Sequence, residues 1–115
     1  MTAQDIVDYC QKKEGAFLCF PFREVPACFK IGKMIFCELY PDENDFKVTL
    51  RCDRETALIL REKYPGDVIR GYYCPPVQQP YKNTVYLNRS VPDNEIYIMI
   101  DTSYLNAKNK QKVKG

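Results

Sequence analysis

An α+β fold is predicted: an antiparallel sheet of about five strands with helices packed on one face, in the order α-βββ-α-ββ-α. Three observations carry the prediction. Residues 27–51 read ACFKIGKMIFCELYPDENDFKVTLR, three β-prone runs separated by two turn-prone ones. Three other stretches carry apolar residues at helical spacing behind a capping residue. Strands and helices are grouped instead of alternating, which argues against βαβ units and a parallel sheet. At 115 residues the chain suits one domain with a true core, and it shows no linker or repeat. That domain is set at 1–107, followed by a basic, frayed tail at 108–115 that holds Lys108, Lys110, Lys112 and Lys114.

The first helix is expected over Ala3 to Glu14. Thr2 caps it, Asp5 sits where the helix dipole favours an acid, and Gly15 ends it. Ile6, Val7 and Cys10, with Tyr9, make its apolar stripe. Residues 16–26 hold Phe17, Phe20 and Phe22 among prolines, an irregular aromatic stretch expected to lie across a sheet edge. Gly32-Lys33 then suits a two-residue type II′ hairpin loop with glycine first. That loop sets the register: Ile31 opposite Met34, Lys30 opposite Ile35, Phe29 opposite Phe36 and Cys28 opposite Cys37. Tyr40 then meets Phe46, and Phe36 meets Leu50. Phe29, Ile31, Met34, Phe36 and Val48 share the core face. Lys30, Lys47, Thr49 and Arg51 share the other, with Cys28, Ile35, Cys37 and Leu39 among them. Directly opposed, Cys28 and Cys37 would have Cα atoms about 4.5 Å apart, with thiols that stay reduced in a reducing compartment.

Asp53 caps a second helix, Arg54 to Tyr64, which Pro65-Gly66 stops. Ala57, Leu58, Leu60 and Tyr64 are expected on its core face. A strand follows over Asp67 to Tyr73, then a loop with Pro75, Pro76 and Pro80, since proline cannot donate to a central ladder. Asn83 to Asn88 reads as a strand with Val85 and Leu87 inward and Thr84 and Tyr86 outward. Ser90-Val-Pro-Asp93 starts a third helix that runs to about Ala107, with Ile96, Met99, Ile100 and Tyr104 on its buried face.

Composition narrows the function. A net charge of +2, from 17 basic and 15 acidic residues, provides no global field for nucleic acid or membrane. No apolar run approaches the roughly 18 residues of a membrane span. MTAQDIVDYC lacks the basic and apolar regions of a signal peptide, so a cytoplasmic location is expected. There are six cysteines and no histidine. Cys10, Cys19, Cys28 and Cys37 recur every nine residues, an interval with no ligand geometry behind it, and no Cys-x-x-Cys occurs. They read as small buried hydrophobes, and neither metal nor cofactor is expected. Without histidine, a general base would have to be a carboxylate, lysine, tyrosine or thiolate. Asp101, Ser103 and Tyr104 form the one attractive cluster, and its plainer reading is that Asp101 and Ser103 make hydrogen bonds tying the last helix to a neighbouring loop. No enzymatic activity is expected.

Several stretches, in order and spacing, resemble the MmcQ/YjbR family over nearly the whole chain. They are Tyr9-Cys10, Phe29-Lys30-Ile31-Gly32-Lys33-Met34, Val48-Thr49-Leu50-Arg51-Cys52-Asp53 and Tyr64-Pro65-Gly66. Gly71-Tyr72, Asn83-Thr84-Val85-Tyr86-Leu87, Val91-Pro92-Asp93 and Ile100-Asp101-x-Ser103-Tyr104 complete them. The resemblance implies a fold similar to CyaY and frataxin, and a DNA-binding role ascribed to that fold as a double-wing arrangement. Where family members carry Gly-Tyr-His and His-Trp, this chain has Gly71-Tyr72-Tyr73 and Tyr81-Lys82.

The candidate site is the outward sheet face. Lys30, Lys33, Lys47 and Arg51, extended by Lys82, would meet phosphates, and Tyr72 and Tyr86 would stack on bases. DNA is thus the expected partner of a non-enzymatic accessory module. Lysines on a solvated face also simply discourage edge pairing. Ile35 and Leu39 on the same face suit the alternative, a protein-interaction adaptor or homodimer.

Overall fold

The structure, a computed structural model, describes residues 1–114 and the side chains of 1–110. The elements are α1 (Ala3–Gln11), β1 (Ala16–Cys19), β2 (Ala27–Ile31), β3 (Met34–Tyr40), β4 (Lys47–Arg51), α2 (Arg54–Lys63), β5 (Val68–Arg70), β6 (Lys82–Tyr86) and α3 (Asp93–Lys114). A 3-10 turn at Gln79–Tyr81 precedes β6. Six strands form one antiparallel sheet in the order β1-β2-β3-β4-β6-β5. The strand beyond the expected five is β1: half of the aromatic stretch pairs with β2 at the sheet edge. α3 carries the helix past Ala107; Gly115 and the side chains of 111–115, where most of the basic tail falls, lie outside the described residues.

Two of the three expected caps act as their residues dictate; Ser90, expected to start the third helix, instead donates its hydroxyl to Asp67 at 2.6 Å, and α3 begins at Asp93. Thr2 Oγ1 accepts from the Asp5 amide at 3.1 Å, and the Asp5 carboxylate accepts from the Thr2 amide at 2.8 Å, closing a capping box on α1. Asp53 accepts from both the amide and the hydroxyl of Thr56, each at 2.8 Å, which contributes about 1 kcal/mol to α2. The core lies between the helices and one sheet face. Ile6, Cys10, Phe29, Phe36, Leu39, Val48, Val85, Ile96 and Ile100 meet there. On α2 only Ala57 is fully buried, and Leu58, expected inward, is 51 % exposed.

The hairpin turn forms where expected. Gly32 has φ +59° while Lys33 stays out of the left-handed region, the type II′ signature. Ile31 pairs with Met34 and Lys30 with Ile35, but then the register shifts: Phe29 pairs with Cys37, Cys28 with Glu38 and Ala27 with Leu39. Phe36 is the extra residue of a β-bulge. Every later partner on β3 therefore moves by one, so Cys37 meets Leu50 and Tyr40 meets Lys47. Cys28 and Cys37 are not partners; they lie on opposite faces. The physical reason is the core. Without the bulge, Glu38 would point into the apolar layer and Leu39 into the open; with it, Phe36, Cys37 and Leu39 are all buried against the helices and Glu38 turns outward. Beside the bulge, the Phe36 carbonyl and the Arg51 amide both meet a side chain of α3. That side chain is Ser103: its hydroxyl donates to Phe36 O and accepts from Arg51 N at 2.8 Å.

Candidate functional site

The outward face is not an open basic surface. Lys47 is buried, 1 % exposed, with its ammonium among the rings of Tyr72, Tyr40 and Tyr86 at 4.3, 4.9 and 5.8 Å from their centroids and paired with Asp45. Lys82 is nearly covered and stands 3.8 Å from the Glu38 carboxylate. Arg51 reaches α3, where its Nε donates to Asn106 Oδ1 at 3.2 Å. Tyr86 lies under the Arg89 guanidinium, 4.5 Å from its centroid. Lys30 is half-buried opposite Phe17 and Ile35. Lys33 is exposed in the hairpin turn, one full strand away from Lys47, which pairs at the far end of β3. That separation is about 20 Å. The expected cations thus form no single patch, and Leu39, one of the two apolar residues behind the alternative reading with Ile35, is in the core.

Two loops account for this cover. Residues 71–74 fold back over the middle of the sheet. The Gly71 amide donates to Lys82 O at 3.0 Å and the Tyr72 amide to Thr84 Oγ1 at 2.8 Å. Thr84 Oγ1 in turn shares a 2.7 Å hydrogen bond with Thr49 Oγ1 on β4. The return demands glycine at 71: a Cβ there would come within 2.5 Å of Cys74 Sγ and 3.0 Å of Lys82 Cβ. Residues 20–26, between β1 and β2, make the second loop, exposed throughout except at Pro26.

Between these loops and the β3–β4 turn lies a cleft of about 840 Å³. Phe22, Arg23, Val25 and Pro26 form one wall, Tyr72 and Tyr73 the opposite wall, and Glu38, Tyr40 and Lys47 the floor, with Asp42 and Asp45 at the end. The rim is apolar and exposed, with Phe22 60 % and Tyr73 87 % accessible. Tyr73 also holds φ +55°, a left-handed conformation that a bulky residue rarely adopts. Such strain collects at functional positions. Burial pushes the Glu38 carboxyl above the ordinary range, and the charges of Lys82 and Arg51 only partly offset it. Burial likewise pushes the Tyr40 phenol up. A second, smaller cavity of about 200 Å³ lies on the helix side, between α2 and α3, lined by Leu50, Leu60, Val85, Ile98 and Met99 among others.

Of the residues expected at the site, the structure brings only Lys47 and Tyr72 into this cleft. Phe22, Arg23, Glu38, Tyr40 and Tyr73 were missed. The aromatic, proline-flanked run at 17–26 was the available signal; Glu38 was hidden by the bulge. Asp101 and Ser103 both make hydrogen bonds that tie α3 to other elements, though not both to a loop. Asp101 accepts from Tyr9 Oη at 2.7 Å and from Lys13 Nζ, while Ser103 binds the strand bulge instead of a loop. Among the described residues no group of three or more His, Cys, Asp or Glu side chains is placed to hold a metal, and no helix is long and apolar enough to cross a membrane.

Fold and cleft together define a small α+β domain with helices on one sheet face and a loop-walled cleft on the other. The chain belongs to the YjbR family: the family model described as YjbR matches residues 11–106. The protein described as "Uncharacterized protein YjbR" from Escherichia coli strain K12 is 30 % identical over 109 residues, spanning 95 % of this chain and 89 % of that protein. Its counterpart in strain O157:H7 matches equally. Two solved structures share the fold. A Deinococcus radiodurans protein with the DUF419 domain superposes with a TM-score of 0.87 at 23 % identity, over 96 % of this chain and 80 % of its own. A Pseudomonas syringae protein superposes with a TM-score of 0.75 at 22 % identity, over 93 % of this chain and 99 % of its own.

Proposed function

We propose that this protein is a non-catalytic interaction module that holds an extended segment of a partner protein, bearing proline and arginine, in the outward cleft. The observation that carries the reading is the composition of the cleft. Aromatic faces from Phe22, Tyr40, Tyr72 and Tyr73 line it, with three carboxylates, Glu38, Asp42 and Asp45, against two cations, Arg23 and Lys47. Aromatic grooves receive proline-rich segments because those are already extended and lose little entropy on docking. A guanidinium would stack on the tyrosines and meet the desolvated Glu38 carboxylate.

The nucleic-acid reading draws support from the exposed rings of Phe20, Phe22 and Tyr73, which can serve as stacking platforms. It draws none from the charges of the cleft, where Lys47 is already paired with Asp45 and the acids outnumber the bases. One experiment separates the two: amide chemical-shift titration of the full chain with a synthetic peptide alternating proline and arginine, and with short single-stranded and duplex DNA, each at two salt concentrations. The expected result is peptide shifts at Phe22, Glu38 and Tyr73 with modest salt dependence. Duplex binding that falls with a log–log salt slope near −0.9 per phosphate contacted, with the peptide inert, would replace the protein-segment reading by the nucleic-acid one.

A further inference from the structure

The bulge that separates Cys28 from Cys37 leaves Cys28 with another thiol partner. On the other side of β2, Cys28 is the direct cross-strand partner of Cys19 on β1. Directly opposed residues of an antiparallel pair share a face and have Cα atoms about 4.5 or 5.5 Å apart. Both values lie within the span of about 4.4–6.8 Å that a disulfide bridges. All six cysteines are free thiols. We propose that Cys19 and Cys28 are an oxidation site, and that their disulfide staples the loop at 20–26, the wall of the cleft, at both of its ends.

The placement distinguishes this pair from the other thiols. Cys19 is partly exposed, at the end of an edge strand, whereas Cys28 is fully buried beside it, its thiol donating to Pro26 O at 3.6 Å. Cys10 and Cys37 also touch, across α1 and β3, but both are fully buried in the core. An oxidant in solution therefore reaches Cys19 and not that second pair. The roles follow. The Cys19 thiolate attacks hydrogen peroxide; the S–O bond forms, the O–O bond breaks, and the departing hydroxide leaves as water. The Cys28 sulfur then attacks the sulfenic sulfur of Cys19. The S–S bond forms, the S–O bond breaks, and the hydroxyl leaves as water with the Cys28 proton. Two thiols are oxidised by two electrons and one peroxide is reduced to two waters. Burial and the nearby Glu38 charge push the Cys28 thiol up to about 12, so Cys28 is not the thiol that meets the oxidant first.

Cys19 directly precedes the 20–26 loop and Cys28 follows it after Ala27, so the bond closes a ring around Phe22, Arg23 and Val25. It restrains the cleft wall whatever the cleft holds, and its test needs no ligand. The full chain is treated with hydrogen peroxide, quenched, unfolded without reductant and digested with trypsin. Cleavage after Lys13, Arg23 and Lys30 places the two thiols on separate peptides, 14–23 and 24–30. The expected product is those peptides linked and two hydrogens lighter than their sum, absent from Cys19→Ser and unaffected in Cys10→Ser. In the folded, oxidised protein, brief trypsin treatment should also cut after Arg23 several-fold more slowly than in the reduced protein, since the stapled loop opens less readily into the protease. Cys19→Ser changes a partly exposed side chain by one atom and serves as the folded control for both readouts. Cys19 found only as sulfinic acid, a link from Cys28 to Cys74, or a Cys19–Cys28 link with unchanged cleavage after Arg23 would each overturn the proposal.

Discussion

The two faces of the sheet are built on different principles. The inner face is sealed by three helices with apolar side chains, so its energy is mostly area removed from water and its partners need only shape. The outer face carries Thr49, Thr84, Glu38, Lys47 and Lys82, and each is buried or nearly so beneath loops. There each polar group must meet a specific partner, because a buried group left unmatched costs more than its hydrogen bond contributes. The inner face therefore tolerates changes of shape poorly and the outer face changes of chemistry poorly. The bulge at Phe36 joins the two, sorting Leu39 to one face and Glu38 to the other.

The contrast can be broken most forcefully at Phe36. It is fully buried, edge-on to Tyr104 with centroids 5.3 Å apart. Phe36→Ala should cost about 4 kcal/mol of unfolding free energy, measured by denaturant melts. Ser103→Ala comes next, at about 2–3 kcal/mol, because one methyl cannot satisfy both Phe36 O and Arg51 N. An effect near zero there would mean that the strands re-pair and the bulge is not held by α3. On the outer face, Lys47→Ala should cost about 2 kcal/mol through lost packing and cation–π contact beneath three tyrosines. Lys30→Ala, half-buried and without a comparable cage, should stay within about 0.5 kcal/mol. Equal effects at the two lysines would return Lys47 to an open surface.

The Glu38 carboxyl sharpens the comparison through pH. Desolvation raises it above its ordinary value of 4.5, with Lys82 and Arg51 pulling the other way. The folded protein thus holds this proton at pH values where the unfolded chain has lost it. The stability it contributes is full below about 4.5 and is lost as pH rises through the raised folded value. Glu38→Gln should remove that slope, so the stability of the variant relative to the parent grows over that window. A parallel pair of stability–pH curves would show that Glu38 is solvated. Binding of the proline–arginine peptide should respond in the opposite sense, weakening as pH falls and Glu38 takes up its proton.

The elements were legible because local chemistry sets them: Thr2 and Asp53 cap helices, Gly32 turns a hairpin, and Val85 alternates with Thr84 and Tyr86. The order of elements along the chain and the helix-backed face followed from them, but not the strand order, in which β6 inserts between β4 and β5. The bulge was not legible, because Phe36 is neither glycine nor proline and nothing local requires an extra residue there. It is decided by what Glu38, Leu39 and Ser103 gain in three dimensions. The error in the site follows from the same cause and from a second one. Face parity on β4 correctly puts Lys47 outward, but an outward position here is not a solvated one. The cover comes from loops at 20–26 and 71–74, whose paths depend on distant anchors such as Tyr72 N on Thr84 Oγ1 and on the space that Gly71 leaves for Cys74.

Tyr73 shows the smallest expected stability effect and the clearest separation of stability from binding. Its ring is 87 % exposed, so it contributes little burial, and its nearest ring neighbour is Tyr72, 4.4 Å away between centroids. Its backbone sits at φ +55°, where asparagine is tolerated far better than an aromatic residue. Tyr73→Asn therefore keeps the loop's path, relieves part of the strain and deletes the ring from the cleft rim. Loss of the contact with Tyr72 and relief of strain oppose each other, so stability should change by no more than about 0.5 kcal/mol. If the exposed ring is there for a partner, binding of the proline–arginine peptide should fall by about tenfold, the equivalent of one aromatic contact of roughly 1–1.5 kcal/mol. Tyr73→Phe, which restores the ring without the hydroxyl, should recover most of that affinity. A Tyr73→Asn protein that binds as the parent does, with its melt unchanged, would leave the strained tyrosine without a role in the cleft and move the search for the docking surface to Phe22 on the opposite wall.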